Sequence, residues 1–127
     1  MYSHNMVGSN DIAAAKKFYD ATFQAIGGNP GIQDDKGRLI YMHNGGIFLV
    51  TPPIDGNPAT IGNGSTIGFA MANPEQADAW HAAGLANGGK AIEDPPGIRS
   101  GAMGDLYLAY LRDPDGNKLC ALHRVPA

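Results

Sequence analysis

The chain is short of several residue types and patterns, and each shortage removes a class of function. A single cysteine, Cys120, rules out an intrachain disulfide. No apolar run approaches the roughly 18 residues of a membrane span, so no membrane partner is expected. The N-terminus has no charged stretch followed by an apolar one, so no signal peptide is expected, and a cytoplasmic location is the default. The nine lysines and arginines are scattered, Lys16-Lys17 being the only adjacent pair, and the net charge is −3. Without a basic stripe to neutralise phosphates, nucleic acid is not expected as a partner. Glutamate is limited to Glu75 and Glu93.

What is present suits one domain. The chain has 127 residues and 43% of them are hydrophobic, enough for a core without covalent staples. Glycine (18) and proline (9) cluster between periodic segments, which favours many short elements in a sheet-rich α+β domain.

Residues 2–8 read as a strand. Ser9-Asn10-Asp11 then offers a helix cap, and Ile12, Ala15, Tyr19, Phe23 and Ile26 step by three and four onto one face. Gly27-Gly28 and Pro30 end that helix. A weak polar segment follows, then strands over 38–43 and 46–51 joined by the Asn44-Gly45 turn. Residues 52–64, rich in proline and glycine, read as a connector.

The pattern then restarts. Residues 65–71 read as a strand, Asn73-Pro74-Glu75 as a helix start, Gly88-Gly89 as its end, and residues 90–93 as a short strand. Residues 94–104 read as a glycine-rich loop. Tyr107 to His123 is a β-hairpin around Asp113-Pro114-Asp115-Gly116-Asn117. Aligning the two units by their double glycines gives an offset of 61, and aligning their Asx-Gly turns gives 71. The first unit covers residues 1–52 and the second residues 65–127. Neither can cover its own sheet, so the two must share a core.

The closing Asp113-Pro114-Asp115-Gly116-Asn117 turn, with His4 seven residues before Asp11 and Phe18-Tyr19 in the helix after it, resembles the vicinal oxygen chelate superfamily. That superfamily comprises glyoxalases, bleomycin- and fosfomycin-resistance proteins and extradiol dioxygenases. The resemblance spans nearly the whole chain. It implies two tandem βαβββ modules forming a U-shaped mixed sheet around a cleft, with helices on the outer face. It also implies a homodimer and a small-molecule ligand.

The resemblance further implies a divalent metal (Zn, Ni, Fe or Mn) held by His and Glu or Gln near the first and last strands of each module. His4 stands at the first such position, Leu49 falls near the second, Thr66 takes a place where His is common, and Cys120 replaces the usual glutamate. A Lewis-acid ion needs three or four strong donors, so a metal is not favoured. His4 and Cys120 are the candidate ligands. Otherwise His4 is a hydrogen-bonded cleft residue and Cys120 a small buried hydrophobe.

The candidate ligand-binding residues are Tyr110, Cys120, Thr66, Tyr107 and Arg99. Pairing Arg112 with Lys118 sets Tyr110 opposite Cys120, whereas parity alone does not say whether Tyr107 or Tyr110 faces the cleft. Cys120 and His123 fall on opposite faces. Arg99, in the 94–104 loop, suits a lid closing over an anion. The function implied is a glyoxalase-like protein that binds a small organic molecule, either a metal-dependent lyase or isomerase or a metal-free sequestering protein of the bleomycin-resistance type.

Overall fold

The computed structural model describes all 127 residues. The first module runs β1 (Asn5–Gly8), α1 (Ile12–Ala25), β2 (Ile32–Gln33), β3 (Leu39–His43) and β4 (Gly46–Thr51). The second runs β5 (Ile67–Ala70), α2 (Pro74–Ala86), β6 (Lys90–Ala91), β7 (Gly97–Gly101), β8 (Gly104–Arg112) and β9 (Lys118–Arg124). The fold is α+β with two mixed sheets, ordered β1-β4-β3-β2 and β5-β9-β8-β6, with β7 also paired to β8. In each module the first strand lies parallel to the last, Asn5 against Phe48 and Ile67 against Leu119. Leu49 and Cys120 are therefore equivalent positions, paired with Met6 and Gly68.

Local chemistry sets the helix ends. The Asp11 side chain accepts from the Ala14 N–H at 3.0 Å, and Asn73 accepts from Gln76 N–H at 2.8 Å with Pro74 in the first turn. Helix α1 stops where Gly27 takes a φ of +86°, and the Gly28 N–H closes on the Phe23 carbonyl at 2.7 Å.

Ala15, Phe18, Tyr19, Thr22 and Phe23 are the buried residues of α1. The burial of Phe18 and Thr22 widens the stripe read from the sequence, because α2 packs against α1. The helices meet at Gly84, where an added Cβ would stand 2.3 Å from Leu111 Cδ1 and 3.1 Å from Phe18. One core cluster of sixteen residues results, drawn from both modules: Tyr19, Leu39, Phe48 and Val50 from the first, Trp80, Ala109, Leu111 and Leu119 from the second. The two modules share this cluster, and each contributes part of it.

The closing turn fastens the modules. Asp113 is 3% exposed and accepts from Tyr19 Oη at 2.6 Å, Asn117 Nδ2 at 2.9 Å and the backbone N–H groups of Asp115 and Asn117. Asn117 Nδ2 also donates to the Gly8 carbonyl at 3.0 Å. A string legible as a turn is thus also a clamp on α1 and β1.

One expectation fails. Residues 94–104 contain a strand, β7, whose five residues pair with Gly104–Leu108 of β8. The long β8 leaves an unpaired edge beyond the two-residue β6, and Gly-Ile-Arg-Ser-Gly fills it. The end glycines disguised a segment whose register is fixed by its neighbour. Arg99 is therefore anchored in a sheet, with its guanidinium donating to the carbonyls of Asp94, Pro95 and Gly97 at 3.0 Å each. It does not sit on a free lid.

Candidate functional site

The second sheet presents its free face through strand alternation. Ala109, Leu111, Leu119 and Ala121 belong to the core under the helices, so Leu108, Tyr110, Arg112, Lys118, Cys120, Leu122 and Arg124 point the other way. Register then assembles rows across the strands. Lys90 pairs with Arg112 and Arg112 with Lys118, which lines three cations along one rung. Tyr110 pairs with Cys120, and Leu108 with Leu122. Farther along, Arg99 pairs with Leu106 and Leu106 with Arg124.

Five of the nine basic residues of the chain thus share one sheet face, although they are scattered in sequence. Like charges directly opposite one another oppose folding, and Glu93 alone makes an ion pair here, with Lys118. The cationic rows lie six residues apart on β8, roughly 20 Å at about 3.4 Å per residue. Between them is a strip of leucine, tyrosine and cysteine.

Tyr110 and Cys120 meet in that strip. The Cys120 thiol donates to the Ala121 carbonyl at 3.5 Å, and Lys118 Nζ stands 5.0 Å from the Tyr110 ring centroid. Burial pushes the Cys120 thiol above its ordinary value, which keeps it a neutral thiol near pH 7. Burial also raises the Tyr110 phenol, with Cys120 adding to the effect. Both groups stay neutral near pH 7, whereas an activated nucleophile would require the opposite shift.

Tyr107 points to the helix side, where its hydroxyl donates to Asp78 Oδ1 at 2.6 Å, the bond that chiefly raises its phenol. The fold therefore separates the two tyrosines, with Tyr110 alone on the free face. His123 also turns to the helix side, with Nδ1 3.1 Å from the Met71 carbonyl, opposite Cys120.

Thr66 and His4 lie elsewhere. Thr66 lines a cavity of about 220 Å³ beside Ser65, Asn117 and Lys118, at the seam where β1 approaches the second sheet. His4 is exposed, its Nδ1 2.8 Å from Ser3 Oγ, and lines a different cavity of about 270 Å³ at the other end of that seam. Sequence reading missed this second cavity, because its walls come from α1, β3, β4 and β5 together and no single segment carries a signal for it.

The donor set does not fit the divalent ion implied by the resemblance. No three His, Cys, Asp or Glu side chains of the chain converge on one point. Of the four equivalent positions, Leu49 offers no donor, Thr66 only a hydroxyl, and Cys120 a thiol held protonated by burial. His4 alone is a strong ligand type.

Comparison with known proteins agrees with this architecture. No curated protein sequence matches the chain. Among solved structures, a glyoxalase/bleomycin resistance protein from Albidiferax ferrireducens T118 is 60% identical over 98% of this chain and 99% of its own, with a TM-score of 0.94. A glyoxalase-related enzyme from Fulvimarina pelagi (17% identity, 98% and 88% covered, TM-score 0.72) and a lactoylglutathione lyase from Agrobacterium tumefaciens (18% identity, 94% and 91% covered, TM-score 0.64) share the fold alone. The family model for the glyoxalase/bleomycin resistance protein/dioxygenase superfamily matches residues 2–121. The chain belongs to that superfamily.

Proposed function

We propose that this protein binds a small amphipathic anion on the free face of its second sheet, without a metal ion, and acts by sequestration. The observation that carries the reading is the gathering of Lys90, Arg112 and Lys118 on one rung and Arg99 and Arg124 on another, around an uncharged strip. An apolar body would rest on Leu122 and the Tyr110 ring, over the buried Leu108 and Cys120, with a carboxylate or phosphate on the Arg112 and Lys118 rung. Such a ligand relieves the repulsion between the cations, and each charge-assisted hydrogen bond contributes about 1.5–3 kcal/mol. Cys120 and Tyr110 supply shape and a neutral hydrogen-bonding floor.

A lyase or isomerase of the metal-dependent kind needs a base and an ion together, and of the residues at the family's positions only His4 is a strong donor, with Leu49, Thr66 and the protonated Cys120 at the others. The net charge of −3 weighs against nucleic acid as the anion. A homodimer fits the same reading: Met6, Met42 and Ile47 on the free face of the first sheet are 41%, 58% and 40% exposed, an apolar surface suited to burial against a second copy.

The test is titration with 4-phenylbutyrate, followed by amide chemical shifts, for the protein and its Arg112→Gln and Lys118→Gln variants. Shifts concentrated on residues 108–112 and 118–122, with each substitution weakening binding about tenfold, support the reading. Unchanged affinity in both variants would refute it.

A further inference from the structure

We infer that the cavity at the seam between the modules is a second, separate binding site, for a flat apolar molecule carrying one anionic or hydrogen-bond-accepting group. It shares no lining residue with the cationic face and does not depend on the anion reading. Its volume is about 270 Å³. An apolar cavity of about 150 Å³ accepts a benzene ring, so this one has room for a fused bicycle.

The walls are aromatic and belong to both modules. Phe23, Tyr41 and Phe48 come from the first, Phe69 from the second, with Ile26 and Ile67 between them. Their rings already form a connected set: Phe23 stacks on Tyr41 at 4.8 Å and 14°, and Phe69 stands edge-on to Phe23 at 5.5 Å and to Phe48 at 5.3 Å. Edge-on and offset ring contacts are the geometry in which an added planar ring gains most.

The mouth has a different chemistry. His4, His43 and Asn44 line it, and no aspartate or glutamate is among the lining residues. Asp20 accepts from Tyr41 Oη, Lys16 Nζ and the Gly31 N–H, and Asp34 pairs with Arg38. The His43 ring has no hydrogen-bond partner in the protein, and the His4 ring has only Ser3 Oγ. Two imidazoles with spare donors beside an aromatic chamber, and no lining carboxylate, suit an acceptor or an anion on a planar body. Both modules contribute walls, so an occupant would also brace the seam where β1 and β5 are not hydrogen-bonded to each other.

The test uses 2-naphthoate and its neutral counterpart 2-methylnaphthalene, followed by amide shifts of residues 43–48 and 67–70. The single tryptophan, Trp80, is a second reporter, its ring 6.3 Å from that of Phe69. Saturable shifts of these residues with 2-naphthoate are expected, fitted separately from any shifts of residues 108–112 and 118–122. His43→Ala, a change at a partly exposed position, should weaken 2-naphthoate about tenfold and 2-methylnaphthalene less than twofold. Phe69→Leu should weaken both, and Arg112→Gln neither. Should Phe69→Leu misfold, the His43→Ala result alone decides the inference. It is overturned if the shifts at residues 43–48 and 67–70 do not saturate, if His43→Ala leaves the naphthoate affinity unchanged, or if Arg112→Gln abolishes binding and so places the probe on the cationic face.

Discussion

Tyr19→Phe removes one oxygen from the clamp between the modules and leaves its packing in place. The Tyr19 ring is edge-on to Phe18 at 4.9 Å and near Phe48 at 4.9 Å, and a phenylalanine preserves both contacts. What disappears is the 2.6 Å bond to the buried Asp113 carboxylate. A hydrogen bond to a charged group contributes about 1.5–3 kcal/mol, which for a chain of this size lowers the melting temperature by roughly 6–12 °C. The loss should also depend on pH. Burial raises the Asp113 carboxyl above the ordinary aspartate range, with hydrogen bonds from Tyr19 and Asn117 opposing the rise. Folding therefore favours the protonated acid, and that contribution is full below the unfolded value of about 3.9 and is lost as pH rises through the higher folded one. Without the Tyr19 donor to the ionised form, the folded value climbs further. The penalty should then be largest at pH 7 and shrink to about 0.5–1.5 kcal/mol, that of a neutral hydrogen bond, once Asp113 is protonated. Urea unfolding of both proteins from pH 4 to 7 measures it. A loss below about 0.5 kcal/mol at pH 7 would show that the clamp does not hold the modules together, and a larger loss flat across the range would show that Asp113 does not change protonation there.

Gly84→Ala should destabilise the protein by about 1–2 kcal/mol despite alanine's better helix propensity, because the new Cβ meets Leu111 and Phe18 between packed helices; thermal unfolding reads this, and a stabilised variant would contradict the close approach of α1 and α2. Met42→Glu places a charge in the exposed apolar face of the first sheet, and light scattering should show a dimer shifting to monomer with little change in helix content. A wild-type protein that is monomeric at high concentration would remove the basis for that expectation.

Much of the fold was readable because local chemistry and global packing agree. The Asp11 and Asn73 caps, the Asn44-Gly45 turn and the Arg112 to Lys118 pairing each have a short-range cause. The hairpin register placed Tyr110 opposite Cys120 correctly, since the turn fixes the pairing. Strand β7 was hidden because its cause is the open edge of the neighbouring β8, and its own glycine-bounded sequence carries no strand pattern. The cationic face was hidden for a related reason. Lys90, Arg99, Arg112, Lys118 and Arg124 come from four strands, and no linear window contains the row that their registers build. The seam cavity is the extreme case, with walls from both modules. The missing metal donors, in contrast, were visible at once, because a ligand set is a matter of residue identity and Leu49 and Cys120 are fixed by the two equivalent registers.

The central claim, anion binding by a charged sheet face that uses no metal, is tested most directly by comparing 4-phenylbutyrate with 4-phenylbutanol, calorimetrically, on chelator-treated protein and after Zn²⁺ is added back. The carboxylate should bind the stripped protein at least about tenfold more tightly than the alcohol, its affinity should fall as salt rises, and Zn²⁺ should change nothing. Binding that appears only with Zn²⁺, or equal affinity for acid and alcohol, would contradict it.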